Sequence, residues 1–563
     1  MPWKSRWTVD IPKLTVPSYV FGSPTAELGT TPLLIDAERS DGYWLSHSTF
    51  RLWSQRLALG LQNAGLQKGD RVLLFSGNTL FFPVVFNGVI MAGGIFTGAN
   101  PTYVARELAY QLQDSGARFL MTSEASLKTS LAAAESIGFP QEQMFVFDSG
   151  YDTFDNVGES VGKVQHWSRL LASPDLAAKF AWEDAATEDD LNQTVTLNYS
   201  SGTTGVPKGV MITHKNYVSN CAQVLHNGTL MPDHERLRAE ARWMCFLPMY
   251  HAYGQTYYCV TSAVRNTPTY IMQKFDFIKL LGHIQKYRIT DLTMVPPIAV
   301  LLAKHPDVKK YDLSSIRSVS SGAAPLGREV SVEVEQLWPA GVMNMKQGWG
   351  MTEVTCTACA WDPTQTSTSN AVGELVGNIE GQIVDDITER EVPRGQRGEL
   401  WIRGPVVMKG YWRKPEATKE TLTSDGWLKT GDIAYLDEQG LLFIVDRKKE
   451  LIKVKGNQVA PAELEALLLE HPSVADAAVV GVTINGEELP RAYLVRQVGA
   501  DSLSASEIHE FMKSRVARHK RLAGGVAFIA SIPKNPSGKI LRKDLRELAK
   551  KEVGDSEARQ SRL

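Results

Sequence analysis

The sequence predicts an α/β protein of layered sheets followed by a smaller α+β domain. Three observations carry this. The chain has 563 residues, more than one hydrophobic core normally organises, so two or more domains are expected. Helix-period and strand-like segments alternate through its long first part, the pattern of sheets covered by helices. After a lysine-rich stretch at 446–459, the remainder reads as a compact small domain of short strands and capped helices.

Taken in order, residues 1–45 are mixed and Pro-containing and are expected to wrap the surface. Residues 49–64 place Phe50, Trp53, Leu57, Leu61 and Ala64 at helical spacing. Gly69-Asp70 turns into a strand at 71–75. Residues 80–99, the most apolar region, are interrupted by Pro83, Asn87 and several Gly, which predicts a buried helix and no membrane span. A helix at 106–112 and strands at 118–122 and 144–147 follow. Apolar runs at 195–197 and 210–212 predict two strands around a polar loop, and Thr213 can cap a helix beginning near His214. Helices at 280–287 and 297–304 flank a strand at 289–295, and 318–321 is a short strand. Residues 399–404 read as a strand and turn, and 441–445 and 451–454 as strands. Pro461 suits a first helical position, and Leu464, Leu467 and Leu468 form one helical face. Strands at 477–482, 491–495 and 526–529 follow, and Ser504 with Glu507 makes a capping box.

Composition excludes several classes. Sixty Lys and Arg against 62 Asp and Glu give a net charge of −2, which argues against a general nucleic-acid or membrane-surface binder. Five Cys in so long a chain are no disulfide framework. Cys356 and Cys359 form a lone C-x-x-C with neither a second pair nor a thioredoxin-like context, so no zinc or redox role follows. Met1-Pro2-Trp3-Lys4-Ser5-Arg6 is followed by no apolar core, so no signal peptide is expected.

The chemistry concentrates in Tyr199-Ser200-Ser201-Gly202-Thr203-Thr204-Gly205-Val206-Pro207-Lys208-Gly209-Val210. Its Gly residues let a large anion approach the backbone, its hydroxyls donate, and Lys208 adds positive charge. This is a polyphosphate cradle. It is not a Walker loop, because Pro207 stands where the second Gly would be and a strand, not a helix, follows.

That stretch resembles the phosphate loop of the adenylate-forming superfamily: acyl- and aryl-CoA ligases, beetle luciferases and peptide-synthetase adenylation domains. Further matches follow in family order over nearly the whole chain. The resemblance implies a large N-terminal domain at 1–445, a hinge at 446–450, a small mobile C-terminal domain at 451–554 and a tail at 555–563. ATP, Mg²⁺ and coenzyme A are the implied cofactors, with a small carboxylic acid as the partner substrate. Ser200, Ser201, Gly202, Thr203, Thr204, Gly205 and Lys208 would then hold the phosphates.

In Leu247-Pro248-Met249-Tyr250-His251-Ala252-Tyr253-Gly254, the resemblance puts His251 at the carboxylate end of an acyl tunnel. Tyr250, Tyr253 and Gly254 would line it, against the plain reading of core aromatics and a turn Gly. Ser321-Gly322-Ala323-Ala324-Pro325-Leu326 would present backbone to adenine, with Gly322 also flooring the acyl pocket. In Gln347-Gly348-Trp349-Gly350-Met351-Thr352-Glu353, two Gly flank an aromatic that offers a face to a purine. The family usually has Tyr at Trp349. Gly350 and Met351 belong to the same nucleotide wall, Gly350 also to the acyl pocket; Thr352 would bind the α-phosphate, and Glu353, with Thr204, would hold Mg²⁺.

Asp432 of Thr430-Gly431-Asp432 and Arg447 would take the ribose hydroxyls. Within 446–459, Lys449 would sit near the pivot, Lys453 and Gln458 would serve the thioester step, and Lys455 and Gly456 would border the pantetheine tunnel; a solvated charged face is the other reading of this run. In Pro533-Lys534-Asn535-Pro536-Ser537-Gly538-Lys539-Ile540, Pro and Gly hold a loop that projects one Lys, and Lys539 matches the family's adenylation lysine.

Gly93-Gly94-Ile95-Phe96-Thr97-Gly98-Ala99-Asn100-Pro101 and Lys455-Gly456-Asn457-Gln458-Val459-Ala460-Pro461 look like the 4-coumarate–CoA ligase branch and its fungal relatives. Cys356-Thr357 replaces that branch's Pro-Val and Gly254 a common Ser, so an aryl, cinnamate-like or medium-chain acid stays open. The implied activity is AMP-forming acid–CoA ligation. Loading of a carrier-protein thiol and luciferase chemistry are alternatives on the same fold. A non-catalytic nucleotide-binding protein would be expected to lack Lys539 or Glu353, and both are present. Ser561-Arg562-Leu563 resembles the peroxisomal C-terminal tripeptide, so a peroxisomal import receptor and a peroxisomal location are expected, with the cytoplasm as the alternative.

Overall fold

The computed structural model describes residues 2–147, 160–200, 206–385, 388–455, 457–484, 486–535 and 538–560. Three sheets build the large N-terminal domain. The first is eight-stranded and mostly parallel, with Ile95–Ala99, Arg71–Phe75 and Ala117–Thr122 near its centre and the antiparallel pair Thr194–Ser200 and Lys208–Thr213 toward one edge. The second is seven-stranded and parallel except at its far edge; it holds Trp243–Cys245, Asp291–Met294 and Ser318–Ser321. The third is a five-stranded antiparallel sheet containing Gly398–Arg403, Leu428–Leu436 and Leu442–Arg447. One continuous apolar core reaches all three.

Residues 80–99 divide into a helix, Phe82–Met91, and a strand, Ile95–Ala99, where one buried helix is the sequence expectation. The apolar run alone cannot tell the two apart. Every residue of that helix is buried, as a helix apolar on all sides must be. Gly88 lets it meet the helix His47–Asn63 closely: a Cβ there would lie 3.0 Å from the Ser54 carbonyl oxygen. Residues 1–45 do more than wrap the surface. Trp3–Lys4 adds an edge to the five-stranded sheet, the helix Val16–Phe21 is mostly buried, and Pro32–Asp36 enters the seven-stranded sheet through its apolar Leu33, Leu34 and Ile35.

Local signals act as the sequence implies. The Thr213 hydroxyl accepts from the Asn216 amide at 3.2 Å, and the Asn216 side chain accepts from the Thr213 amide at 3.0 Å. Ser504 and Glu507 close the same reciprocal box, with bonds of 3.3 and 2.8 Å.

The smaller C-terminal domain has a three-stranded sheet, Val474–Ile484, Glu487–Arg496 and Val526–Phe528, with separate apolar clusters on its two faces. The helices Pro461–Leu469 and Ala505–Lys513 cover one face, and Arg542–Gln560 the other. That last helix runs into the stretch expected to be a loose tail, since 555–560 still contains good helix formers. The tripeptide 561–563 lies outside the described residues. Several contacts seat this domain on the large one, among them a backbone-directed lysine and a glycine against the Val295 side chain. The Lys304 ammonium donates to the Leu469 carbonyl at 3.0 Å, and a Cβ at Gly538 would come within 2.8 Å of Val295 Cγ2.

Candidate active site

The strands Thr194–Ser200 and Lys208–Thr213 pair antiparallel with Ser200 opposite Lys208, so the phosphate-loop motif is a strand–loop–strand turn. Ser201, Gly202, Thr203, Thr204 and Gly205, between the two strands in the chain, lie outside the described residues. The turn is held by two side chains of one helix that sequence reasoning missed, Asp114 at its Tyr199 end and Tyr110 at its Pro207 end. The Tyr199 hydroxyl donates to Asp114 Oδ2 at 2.7 Å, and Lys414 donates to Asp114 Oδ1 at 2.6 Å. The Tyr110 hydroxyl reaches Asp114 Oδ1 at 3.3 Å and the Pro207 carbonyl at 2.8 Å.

Glu353 is buried beside that turn. Its Oε1 accepts from the Ser200 hydroxyl at 3.3 Å and from the Tyr411 hydroxyl at 3.0 Å. Tyr411 also carries the Lys208 ammonium 4.5 Å above its ring, so one aromatic ties the loop's cation to the acidic residue. Two features fix Glu353 in place: its carbonyl accepts from the Met408 amide at 2.9 Å, and Thr355, two residues on, is held at φ 67°. A β-branched residue in that region costs on the order of 1–3 kcal/mol. The Thr355 hydroxyl donates to the Val406 carbonyl at 2.8 Å, which helps offset it. The donor set is one carboxylate among hydroxyls. Among the described residues no three His, Cys, Asp or Glu side chains cluster around a point. Hard Mg²⁺ fits such a place, because it binds through one or two carboxylates plus substrate phosphates and keeps its waters.

Trp349 and Asp432 are 83 residues apart and meet directly. The indole Nε1 donates to Asp432 Oδ2 at 2.8 Å, while Arg447 Nε pairs with Oδ1 at 2.5 Å. Trp in place of the family's Tyr therefore supplies an N–H that orients the carboxylate. Gln347 ties this motif to the preceding one by a reciprocal pair of 2.9 Å bonds to the Leu326 backbone. Ala323, in the turn so held, has φ 71°.

Lys539 faces this cluster from the small domain. Burial holds its ammonium below the ordinary lysine range, Arg447 adds to that, and Asp432, Glu353 and Glu450 oppose it. Its loop is braced by Asn535, whose side chain accepts from the Lys539 amide at 2.9 Å. Downstream, Arg542 pairs with Glu465, and Arg546 with Glu450 at 2.7 Å, so the 446–450 turn is tied to the helix that follows Lys539.

A cavity of about 890 Å³ opens at this point. Of the expected acyl-pocket residues, Tyr253, Gly322, Gly350, Cys356 and Thr357 line it, together with His251. Tyr250 and Gly254 do not. Gly254 packs behind the wall, where a Cβ would sit 2.3 Å from the Pro248 carbonyl oxygen. Tyr250 instead packs on the strand Ile95–Ala99, 3.0 Å from where a Gly98 Cβ would be. Gly350 is small for a reason unrelated to a purine: a Cβ there would fall 1.7 Å from the Cys356 carbonyl oxygen. Cys356 and Cys359 are buried thiols, and burial pushes Cys356 up to about 12, so neither is a ready nucleophile.

Burial, with a smaller push from Lys539, lowers His251 from 6.5 to about 4, so its imidazole is neutral near pH 7. Burial pushes His214 to about 4 as well. Between the two values the unfolded chain binds protons at these sites that the folded chain does not, so the two histidines' contribution to stability is full above about pH 6.5 and falls as pH drops toward 4, while buried Asp446, raised to about 6, contributes in the opposite sense. Denaturant midpoints compared across that window should fall less, or rise more, in His251→Asn than in the unaltered chain. An unchanged slope in the variant would contradict the assignment.

The second lysine group stands elsewhere. Lys453 and Gln458 are opposite one another on the hairpin of Ile452–Val454 and Asn457–Val459, and both are exposed. Lys455 pairs with Glu487 at 3.2 Å, and Lys449 is exposed in the 448–450 turn. None of the four lines the cavity, and Gly456 lies outside the described residues.

A family model for AMP-binding enzyme matches residues 26–412, and one for the AMP-binding enzyme C-terminal domain matches residues 463–539. 4-Coumarate–CoA ligase 1 of Petroselinum crispum is 39% identical over 545 residues, 95% of this chain and 94% of its own length. Peroxisomal OPC-8:0-CoA ligase 1 of Arabidopsis thaliana is 40% identical over 493 residues, 87% of this chain and 86% of its own. Among solved structures, ATP-bound MatB from Rhodopseudomonas palustris matches with a TM-score of 0.79 at 26% identity, over 96% of this chain and 100% of that one.

Proposed function

The chain belongs to the AMP-binding enzyme family, and from that membership we infer that it is an ATP-dependent acid–CoA ligase, forming an acyl-adenylate and then an acyl-CoA thioester. The observation that carries this is the convergence of Lys539, Glu353, Asp432 and Arg447 beside a cavity walled by Trp349, which bonds Asp432, and by His251, which feels the Lys539 charge. The acid is aryl, cinnamate-like or medium-chain.

A carboxylate is a poor acyl donor because its leaving group would be oxide. Here it attacks the α-phosphorus of ATP; the bond from that phosphorus to the bridging oxygen breaks, and pyrophosphate leaves with the electron pair. Two anions approach one another, so the barrier falls where fixed positive charge and N–H or O–H donors surround the phosphates. Lys539, Lys208, Thr352 and the 200–205 hydroxyls and amides supply them. Glu353, with Thr204, would hold Mg²⁺, which when bound neutralises charge on the departing phosphates. Asp432 and Arg447 hold the ribose, and the 322–323 and 349–351 backbone and the Trp349 ring wall the base. Neutral His251 lies at the carboxylate end, where it donates or accepts without adding charge.

The thiolate of CoA then attacks the acyl carbonyl; a C–S bond forms, the C–O bond to phosphate breaks and AMP leaves. Lys539 has no part in this step. We assign it to the exposed hairpin face of Lys453 and Gln458, with Lys455 and Gly456 along the pantetheine path, brought in by rotation of the 451–554 domain about the 446–450 turn near Lys449. A peroxisomal location is proposed on the likeness to the relative named peroxisomal.

The test is acid-dependent pyrophosphate release across aryl, cinnamate and fatty acids, with and without CoA. Thioester formation with at least one class is expected. Pyrophosphate release that never yields a CoA thioester would overturn the ligase reading. Asp114→Ala should loosen the Tyr199 end of the phosphate loop and free Lys414. It is expected to lower kcat/KM for ATP about tenfold, the scale of one charge-assisted hydrogen bond, while sparing thioester formation from supplied acyl-adenylate. Equal loss of both would give Asp114 a folding role only.

A further inference from the structure

The cavity continues past the acyl-pocket residues. Along one wall Tyr253 stacks on Tyr257 with centroids 4.2 Å apart, Tyr257 lies 6.3 Å from Trp243, and the Arg265 guanidinium sits 5.3 Å from the Trp243 ring. All four line the same space as His251. The parallel strands beneath give its direction. Met294 and Ser321 end them in register on the side where Val295 meets the Lys539 loop; Trp243, Asp291 and Ser318 begin them in register on the other. Four residues of strand, Asp291–Met294, cover on the order of 10 Å at roughly 3.3 Å per residue. The cavity therefore crosses the sheet from the reacting end to the opposite edge.

The far end differs in chemistry from the middle. Arg238 there has Glu235 at 3.9 Å, and Arg317 has Glu240 at 2.5 Å. Arg265 has no ion pair among the described residues; Asp291 acts on it only at longer range. Asp291 is itself engaged by the Thr290 hydroxyl at 2.6 Å. The Trp243 indole Nε1–H is buried with no acceptor. Half-buried Arg265 thus stands at the end of an aromatic passage with no carboxylate paired to it among the described residues, while the Trp243 N–H is closed off from that space and only its ring backs the guanidinium.

We propose that this end is a subsite for a hydrogen-bond-accepting oxygen group, in its strongest form a carboxylate, at the distal end of an extended acid, bound by the Arg265 guanidinium that lies over the Trp243 ring. The proposal rests on the ligase reading above and narrows its substrate class. The acid's reacting carboxylate lies at His251, its apolar middle runs along Tyr253 and Tyr257, and its far oxygens meet a planar fork suited to a carboxylate. A methyl terminus of equal length would bring apolar surface against the guanidinium and give it no anionic partner.

The probes are dodecanoic and dodecanedioic acid, compared by kcat/KM for acid-dependent pyrophosphate release. The diacid is expected to be favoured about tenfold or more. Arg265→Met should bring the ratio close to one, and Arg265→Lys should keep part of the preference. Thermal unfolding and KM for ATP check that the variants fold, and the preference of the unaltered chain stands as a test without them. Equal or better use of dodecanoate, or an unchanged ratio in a folded Arg265→Met, would overturn the proposal. Release with cinnamates but with neither twelve-carbon acid would also overturn it and leave the ligase reading intact. Release with no acid of any class would remove the ligase reading, and this inference with it.

Discussion

Lys539→Ala should lower acid-dependent pyrophosphate release by about 10²–10³-fold, the usual cost of removing one preorganised group aimed at transition-state charge. The lysine is set up for that role by its surroundings. Its ammonium is largely buried, which weakens screening, and it lies within electrostatic reach of Asp432 and Glu353. Its loop is seated on Val295 and braced by Asn535. The charge is therefore in position before the reaction begins. Formation of the CoA thioester from supplied acyl-adenylate should stay within about twofold, since no anion attacks phosphorus in that step. Equal loss in both half-reactions would mean that Lys539 serves the fold or the binding of adenosine, and the separate use of two lysine groups would be wrong.

Glu353→Gln is expected to be nearly as damaging, about 10²-fold in adenylation at saturating ATP, with a marked rise in the Mg²⁺ concentration giving half-maximal rate. The substitution preserves shape. An amide oxygen can still accept from Ser200 and Tyr411, at 3.3 and 3.0 Å from the present carboxylate, so the local packing should survive. What is lost is the negative charge that binds the cation. The Tyr411 ring also carries the Lys208 ammonium, so a shift in KM for ATP should accompany the metal effect. A variant with an unchanged Mg²⁺ requirement would exclude Glu353 as the metal's carboxylate.

Much of this was legible in the sequence because the signals were local. The strand–loop–strand around 201–205 follows from two apolar runs framing a Gly/Ser/Thr/Lys stretch, and the Thr213 and Ser504 caps follow from residues three apart. What was not legible depends on partners far away in the chain. Nothing near Asp114 marks it, because its main partner Tyr199 lies 85 residues on. Tyr411 gains its place only by meeting Glu353, 58 residues earlier. Trp349 reads as a flat face for a base, and only the fold reveals the bond from its N–H to Asp432. Glycines mislead in the same way. Gly254 reads as space for a substrate, yet it accommodates the Pro248 carbonyl behind the wall; Gly350 does line the cavity, while its own Cα also packs against the Cys356 carbonyl. The Leu80–Ala99 stretch shows the limit of apolar pattern itself, which gives burial without choosing between helix and strand.

The account depends on one small domain serving one pocket with Lys539 and then leaving so that the Lys453 hairpin can follow. A disulfide across the present contact tests this directly. A Cβ at Gly538 would lie 3.2 Å from Val295 Cβ, near the roughly 3.8 Å a disulfide prefers, and all five native cysteines are buried. In the double variant Val295→Cys/Gly538→Cys, the reduced form controls for strain at a position whose φ is 79°. Once oxidised, the protein is predicted to continue acid-dependent ATP–pyrophosphate exchange and to stop making CoA thioester, with thioester formation returning on reduction. Undiminished thioester formation with the cross-link intact would contradict the account.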